Sequence, residues 1–193
     1  MSGWLNESGV DSTESVTEVY NITLIGEPGI GKTSIQRRLV RQLFTKETPV
    51  TIGANFSFIK QTIGNHEYKF KLCDIAGQAS FEMVRKNYMI NSHGALMVFD
   101  LTDQSSLQKL EKWIIDYVQV NSDKEVSILL VGNKLDLADE RKVSLSDVNR
   151  FLKLANSHEK INNSIIGYIE TSALNGVNIN IGFDQLSRAI ISK

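Results

Sequence analysis

The segment Gly26-Glu27-Pro28-Gly29-Ile30-Gly31-Lys32-Thr33 fits the pattern G-x-x-x-x-G-K-[ST]. It stands between an apolar run, Ile22 to Ile25, and an apolar-periodic segment marked by Ile35, Leu39 and Leu43. A strand, a tight loop and a helix are therefore expected in that order. In such a context glycines let the backbone wrap as a nest of N–H groups around a polyphosphate, and the helix N-terminus adds its positive end. Lys32 would reach the outer phosphates and Thr33 would offer a hydroxyl to a magnesium ion. The nucleotide-binding set read from this loop is Glu27, Pro28, Gly29, Ile30, Gly31, Lys32, Thr33 and Ser34. A glycine turn with an exposed lysine is the competing reading, and the strand-loop-helix context disfavours it.

A chain of 193 residues is long enough for one well-buried α/β domain and short for two. The formal net charge is -1, so no strong basic field draws nucleic acid or anionic lipid, and a polyanion needs a local site. Cys73 is the single cysteine, which excludes an internal disulfide and fits a reducing compartment, so the cytoplasm is expected. No apolar stretch approaches the roughly 20 residues of a membrane span, and Met1 to Val19 lacks the pattern of a signal peptide. Ser2 stands where an N-myristoyl signal needs glycine, and Ile190 to Lys193 carries no prenylatable cysteine. Peripheral membrane association is then expected only through a lipidated tail beyond these residues or through a partner.

Residues 1 to 18 contain Glu7, Asp11, Glu14 and Glu18 and no Lys or Arg, and read as a disordered acidic leader. From residue 19 to 193 apolar strands alternate with amphipathic helices, which predicts one layered α/β domain. Strands are expected over 19–25, 52–63, 66–73, 94–100, 126–132 and 165–170, and helices over 32–43, 80–91, 104–121, 144–158 and 179–191. Gly64-Asn65 is a two-residue hairpin signal, so the second and third strands should be antiparallel and the others parallel. Leu107, Leu110, Ile114, Tyr117 and Val118 form a core stripe on the third helix, with Trp113 beside it.

Ligands of an open parallel sheet lie at the carboxyl ends of its strands. The third strand ends in Asp74-Ile75-Ala76-Gly77-Gln78, which supplies a carboxylate for magnesium, a bare N–H for a terminal phosphate and an amide able to orient water. The fifth ends in Gly132-Asn133-Lys134-Leu135-Asp136. Asp136 can accept both the ring N–H and the exocyclic amine of guanine, a donor pair that adenine lacks, while Asn133 and Lys134 brace the loop and cover the base. The sixth ends in Glu170-Thr171-Ser172-Ala173-Leu174, where the N–H groups of Ser172, Ala173 and Leu174 can meet the guanine carbonyl. His66, His93 and His158 sit with no nucleophile and at no metal-ligand spacing, so they receive no catalytic or zinc role.

The set GEPGIGKT, TIGANF, DIAGQ, GNKLD and ETSAL, in that order over residues 19 to 193, resembles a Ras-superfamily small GTPase. Thr51 to Phe56 is most similar to the Rab branch. The resemblance implies a P-loop G domain: a six-stranded, mostly parallel sheet with one antiparallel strand and helices on both faces. It implies a switch that hydrolyses GTP to GDP and phosphate with Mg2+, Gln78, Lys32 and Gly77 being catalytic and Thr33, Thr51 and Asp74 serving the metal. Thr51 would belong to the first switch segment and residues 76 to 90 to the second. Effectors, an exchange factor and a GTPase-activating protein would read those segments in Rab-like control of membrane traffic or signalling. The resemblance also suggests Phe44 as the aromatic packed on guanine, with the last core residue of the first helix as its alternative role.

The sequence departs from the family pattern at three places. Pro28 occupies a position that is Gly in Ras and often Ser in Rabs, and it removes a backbone donor. Cys73 stands where Rabs usually carry Trp, and Ala79-Ser80 replace the usual Glu-Arg. The first alternative function is a binding module that holds GTP or GDP with negligible turnover, which Pro28 motivates and Gln78 opposes. The second is an ATP-using P-loop kinase, which the Asn133-Lys134-Leu135-Asp136 run opposes.

Overall fold

A computed structural model describes residues 18–42, 55–75, 82–159, 161 and 163–193. In chain order the elements are β1 (Val19–Ile25), α1 (Lys32–Gln42), β2 (Asn55–Ile63), β3 (His66–Asp74), α2 (Glu82–Met89) and β4 (Gly94–Asp100). There follow α3 (Gln104–Val120), β5 (Ser127–Asn133), α4 (Leu145–Asn156), β6 (Ile165–Glu170) and α5 (Ile179–Ile191). The strands form one six-stranded sheet in the order β2-β3-β1-β4-β5-β6. Only β2 is antiparallel to its neighbour, β3, and Gly64 in the connecting turn adopts φ 62°. The predicted topology is the one observed.

The central strands explain the two-layered cover. All seven residues of β4 and all seven of β5 are buried, as expected of parallel strands with helices on both faces. Successive side chains then divide between two cores. Ala95, Met97 and Phe99 face α3, whose Leu107, Leu110, Ile114 and Tyr117 complete one cluster. Leu96 and Val98 face Ile35 and Leu39 of α1 and Phe183, Leu186 and Ile190 of α5 in the other.

The differences from expectation are local. Helix α2 stops at Met89, because Asn91 turns into the left-handed region at φ 63° and the chain enters β4. Helix α4 starts one residue late, since Ser144 is its cap: its hydroxyl accepts the Asp147 N–H while the Asp147 carboxylate accepts the Ser144 N–H. Strand β5 extends to Asn133, which pairs with Asp100. The part of the second predicted strand before Asn55, the end of the DIAGQ run and the start of the second predicted helix, at 76–81, lie outside the described residues. A short 3-10 turn at Ala138–Glu140 was not anticipated.

The chain runs from β1 to one side of the sheet through β2 and β3, then crosses to the other side with β4. Beyond the carboxyl end of β1 the topology therefore reverses, and a crevice opens there for a ligand. The loop Gly26–Gly31 leaves β1 at that point.

Candidate functional site

Two glycines are dictated by what surrounds them. Gly26 has φ 144°, and a Cβ there would lie 2.2 Å from the Val98 carbonyl oxygen of β4. Gly31 has φ 98°, and a Cβ there would lie 2.4 Å from Asn133 Nδ2. Side chains at either place would meet both strain and collision. Ile30 between them is buried and anchors the loop in the α1–α5 core, whereas Pro28 and Gly29 are exposed.

Lys32 opens α1 and is buried. Its Nζ donates to the carbonyl oxygens of Gly26 at 2.9 Å and Glu27 at 2.7 Å. Burial pulls its pKa below the usual lysine range, against the attraction of Asp74 and Glu27. Thr33, next in the helix, donates its hydroxyl to the Asp74 carboxylate at the end of β3. One hydroxyl and one carboxylate oxygen thus converge, both hard donors of the kind magnesium takes. Mg2+ typically uses one or two carboxylates and completes its shell with phosphate and water oxygens. Among the described residues no group of three or more His, Cys, Asp or Glu that could hold a metal ion occurs.

The Glu27 carboxylate turns to α3. Its Oε1 accepts from Trp113 Nε1 at 3.0 Å and its Oε2 from Lys109 Nζ at 3.1 Å. Burial would raise its pKa, but the bonds from Trp113 and Lys109 and the charges of Lys109 and Lys32 outweigh burial and hold it below the usual range.

At the other end of the crevice Asn133 is the junction. Buried at the end of β5, it donates from Nδ2 to the Ile30 carbonyl at 2.8 Å. Its Oδ1 accepts from the Ala173 N–H at 3.1 Å and the Thr171 hydroxyl at 3.2 Å. One amide therefore joins the β1 loop to the β6 loop. Lys134 follows with φ 69° and pairs with Asp100 of β4 at 2.6 Å. Asp136 accepts the Ser172 hydroxyl, and Arg38 of α1 donates to the carbonyls of Ala173 and Leu174.

Beside these contacts lies an open crevice of about 490 Å³, bordered by Gly29, Gly31 and Ser34 on one side and by Asn133, Lys134, Asp136 and Leu174 on the other. The described site residues from the β1, β3, β5 and β6 ends are thereby brought to one edge of the sheet. Phe44, Thr51, Gly77 and Gln78 lie outside the described residues. Sequence reading passed over Asp100, Thr171, Lys109 and Arg38. Asp100 had the one available signal, an acid at the carboxyl end of a fully buried parallel strand. Trp113 was placed beside the core stripe, and its bond to Glu27 is additional.

Such a fold, with a glycine-rich loop at the sheet's reversal point and a polar crevice at its strand ends, defines a P-loop nucleotide-binding domain. A family model described as "Ras family" matches residues 21–192. The chain belongs to the Ras family, as a Rab-like small GTPase. It is 33% identical over 175 residues to Ras-related protein Rab-11A of Dictyostelium discoideum, covering 91% of this chain and 77% of that protein. It is 30% identical over 185 residues to human Ras-related protein Rab-25, covering 96% of this chain and 82% of that one. Ras-related protein RABA4d of Arabidopsis thaliana is 31% identical over 173 residues, covering 90% and 73%.

Proposed function

We propose that this chain is a guanine-nucleotide switch that hydrolyses GTP to GDP and phosphate. The observation that carries the reading is the position of Asn133, which links the lysine-bearing loop to the segment holding Asp136, Ser172 and Ala173 around one cavity. In this reading the N–H groups of residues 29 to 33 cradle the phosphates and Lys32 exchanges its loop carbonyls for phosphate oxygens. Thr33 and Asp74, with Thr51, would hold Mg2+, which would supply positive charge against the phosphates. Asp136 accepts the two guanine donors, Lys134 covers the ring, and the N–H groups of Ser172, Ala173 and Leu174 face the guanine carbonyl. Phe44 packs on the base.

Gln78 orients a water and Gly77 offers its N–H to the γ-phosphate. The water oxygen bonds to the γ-phosphorus as the bond from that phosphorus to the β–γ bridging oxygen breaks. GDP leaves with the electron pair, and the water's proton ends on phosphate or solvent. No arginine occurs between Thr45 and Thr51, so that segment supplies no guanidinium for the transition state. The isolated protein should turn over slowly, on the order of the 10⁻⁴ per second of unassisted Ras, a figure taken over from that relative. Loss of the γ-phosphate would release both switch segments, which effectors, an exchange factor and an activating protein read. The Rab names of the relatives support a place in membrane traffic, from the cytoplasm or at a membrane periphery. No described helix is long and apolar enough to cross a membrane.

Denaturing the purified protein and chromatographing the released nucleotide tests the reading. GDP or GTP is expected, and an empty or ATP-filled site overturns it. A protein that holds GTP without releasing phosphate, alone or with cell extract, would instead be the locked binding module that Pro28 motivates.

A further inference from the structure

A phosphate-binding loop is a poor place for a carboxylate, because the ligand carries several negative charges. Glu27 is nevertheless the second residue of the loop, and two side chains of α3 occupy its carboxylate oxygens, Trp113 Nε1 at 3.0 Å and Lys109 Nζ at 3.1 Å. Lys109 and Trp113 are four residues apart, hence stacked on one helix face. The same Glu27 presents its main-chain carbonyl to Lys32 Nζ at 2.7 Å. Pro28 follows, and a residue preceding proline is confined to the extended region of backbone space. A stiff backbone with its side chain tethered at the far end has little freedom left in its carbonyl.

We propose that Lys109 and Trp113 are positioning residues of the phosphate loop, holding Glu27 against α3 so that its main chain, and Lys32 upon it, stand in the geometry that receives a nucleoside triphosphate. The inference rests on the nucleotide-switch reading and deepens it. Trp113 fixes the direction of the Glu27 side chain through its N–H. Lys109 cancels the charge that would otherwise repel the phosphates. The Lys109 side chain is 58% exposed, so its share of the anchoring is the smaller one. Because α3 also packs on β4 through Leu107, Leu110 and Ile114, the loop is referenced to the centre of the sheet.

The two roles separate by substitution. Trp113→Phe keeps an aromatic ring, though a smaller one, and removes the N–H; nucleotide dissociation should accelerate about tenfold, the scale of one hydrogen bond to a charged group. Glu27→Ala should do the same. Lys109→Ala should weaken GTP two- to fivefold and GDP less, since the triphosphate carries more charge. In a Glu27→Gln background, which keeps an acceptor for Trp113 and removes the charge, Lys109→Ala should have no effect.

A spectroscopic readout excludes a merely structural role. The chain has two tryptophans, Trp4 and Trp113, so in Trp4→Phe protein Trp113 is the sole indole. Its emission should shift when GDP is stripped, and Glu27→Ala should abolish that shift. Dissociation rates within twofold of the parent in both Trp113→Phe and Glu27→Ala overturn the proposal alone. An undiminished Lys109→Ala effect in the Glu27→Gln background, or an emission shift that survives Glu27→Ala, does the same. A parent protein that holds no guanine nucleotide overturns the switch reading and this inference with it.

Discussion

The two ends of the crevice are built on different physical terms. At the base end three polar side chains are each engaged by another segment: Asn133 with Ile30, Thr171 and Ala173, Lys134 with Asp100, and Asp136 with Ser172. At the phosphate end the chemical groups are engaged by stand-ins. Lys32 rests on carbonyls of its own loop and Thr33 on the Asp74 carboxylate. A ligand at the base end meets a frame already assembled, whereas a ligand at the phosphate end replaces internal hydrogen bonds with stronger ones to charged oxygens. Substitutions should therefore split, with folding stability sensitive at one end and nucleotide discrimination at the other.

The largest effect is expected from Asn133→Ala. Truncation strands the Ile30 carbonyl, the Ala173 N–H and the Thr171 hydroxyl, at a cost of about 3 kcal/mol of folding free energy and most of the guanine affinity. Urea denaturation of nucleotide-free protein measures the first part. A stability loss below about 0.5 kcal/mol, the scale of an ordinary surface change, would break the claim that the base end is a preassembled frame.

Asp136→Asn comes next and should act on the ligand with little effect on the fold, since an amide oxygen can still accept the Ser172 hydroxyl. Loss of a charged acceptor facing two guanine donors is worth about 3 kcal/mol, or roughly a hundredfold in GTP affinity. Xanthosine triphosphate should gain in turn, because an amide can donate to its 2-oxo group. Equal affinities for the two nucleotides before and after the change would remove Asp136 from the base site.

How far this contrast was legible in the sequence depends on the range of each interaction. Strand Gly94–Asp100 was readable as a short continuous apolar run, and the stripe of α3 because burial repeats with the helical period. The motifs placed Lys32, Thr33, Asp74, Asn133 and Asp136 at strand ends because glycine and acid at a chain reversal are local signals. The ties between loops were not readable. Asn133 to Ile30 spans 103 positions and Trp113 to Glu27 spans 86, and nothing local distinguishes an indole on the edge of a core from one that donates across the fold. Residues 43 to 54 and 76 to 81 lie outside the described residues, so Gln78, Gly77, Thr51 and Phe44 rest on the sequence alone.

Thr33→Asn probes the phosphate end. Its hydroxyl meets Asp74 at the point read as the metal site, so GTP affinity should fall more than GDP affinity, by about tenfold in the ratio, since the more highly charged triphosphate would depend more on a bound cation. Folding stability should stay within about 0.5 kcal/mol because the residue is only partly buried at a helix start. Parallel titrations with each nucleotide and a denaturation curve decide it; an equal loss for both nucleotides would contradict the metal role.

The smallest effect concerns the pair that closes the base end, Lys134 and Asp100. Burial would raise the Asp100 pKa, but the Lys134 ammonium, together with the Thr102 N–H and hydroxyl, holds it below the usual carboxylate range. A carboxyl group depressed on folding contributes stability above its unfolded pKa and loses it as pH falls through the folded value. Lys134→Met should therefore cost about 1 kcal/mol near neutrality, modest because Thr102 still supplies two hydrogen bonds and the lysine is 32% exposed. The gap between variant and parent should narrow as acid protonates Asp100 in both. Urea midpoints of the two nucleotide-free proteins, taken from neutral pH down to the acid limit of folding, provide the measurement. A gap that widened in acid would mean that Lys134 stabilises the fold through some contact other than Asp100, and the base end would then owe less of its rigidity to this charge pair.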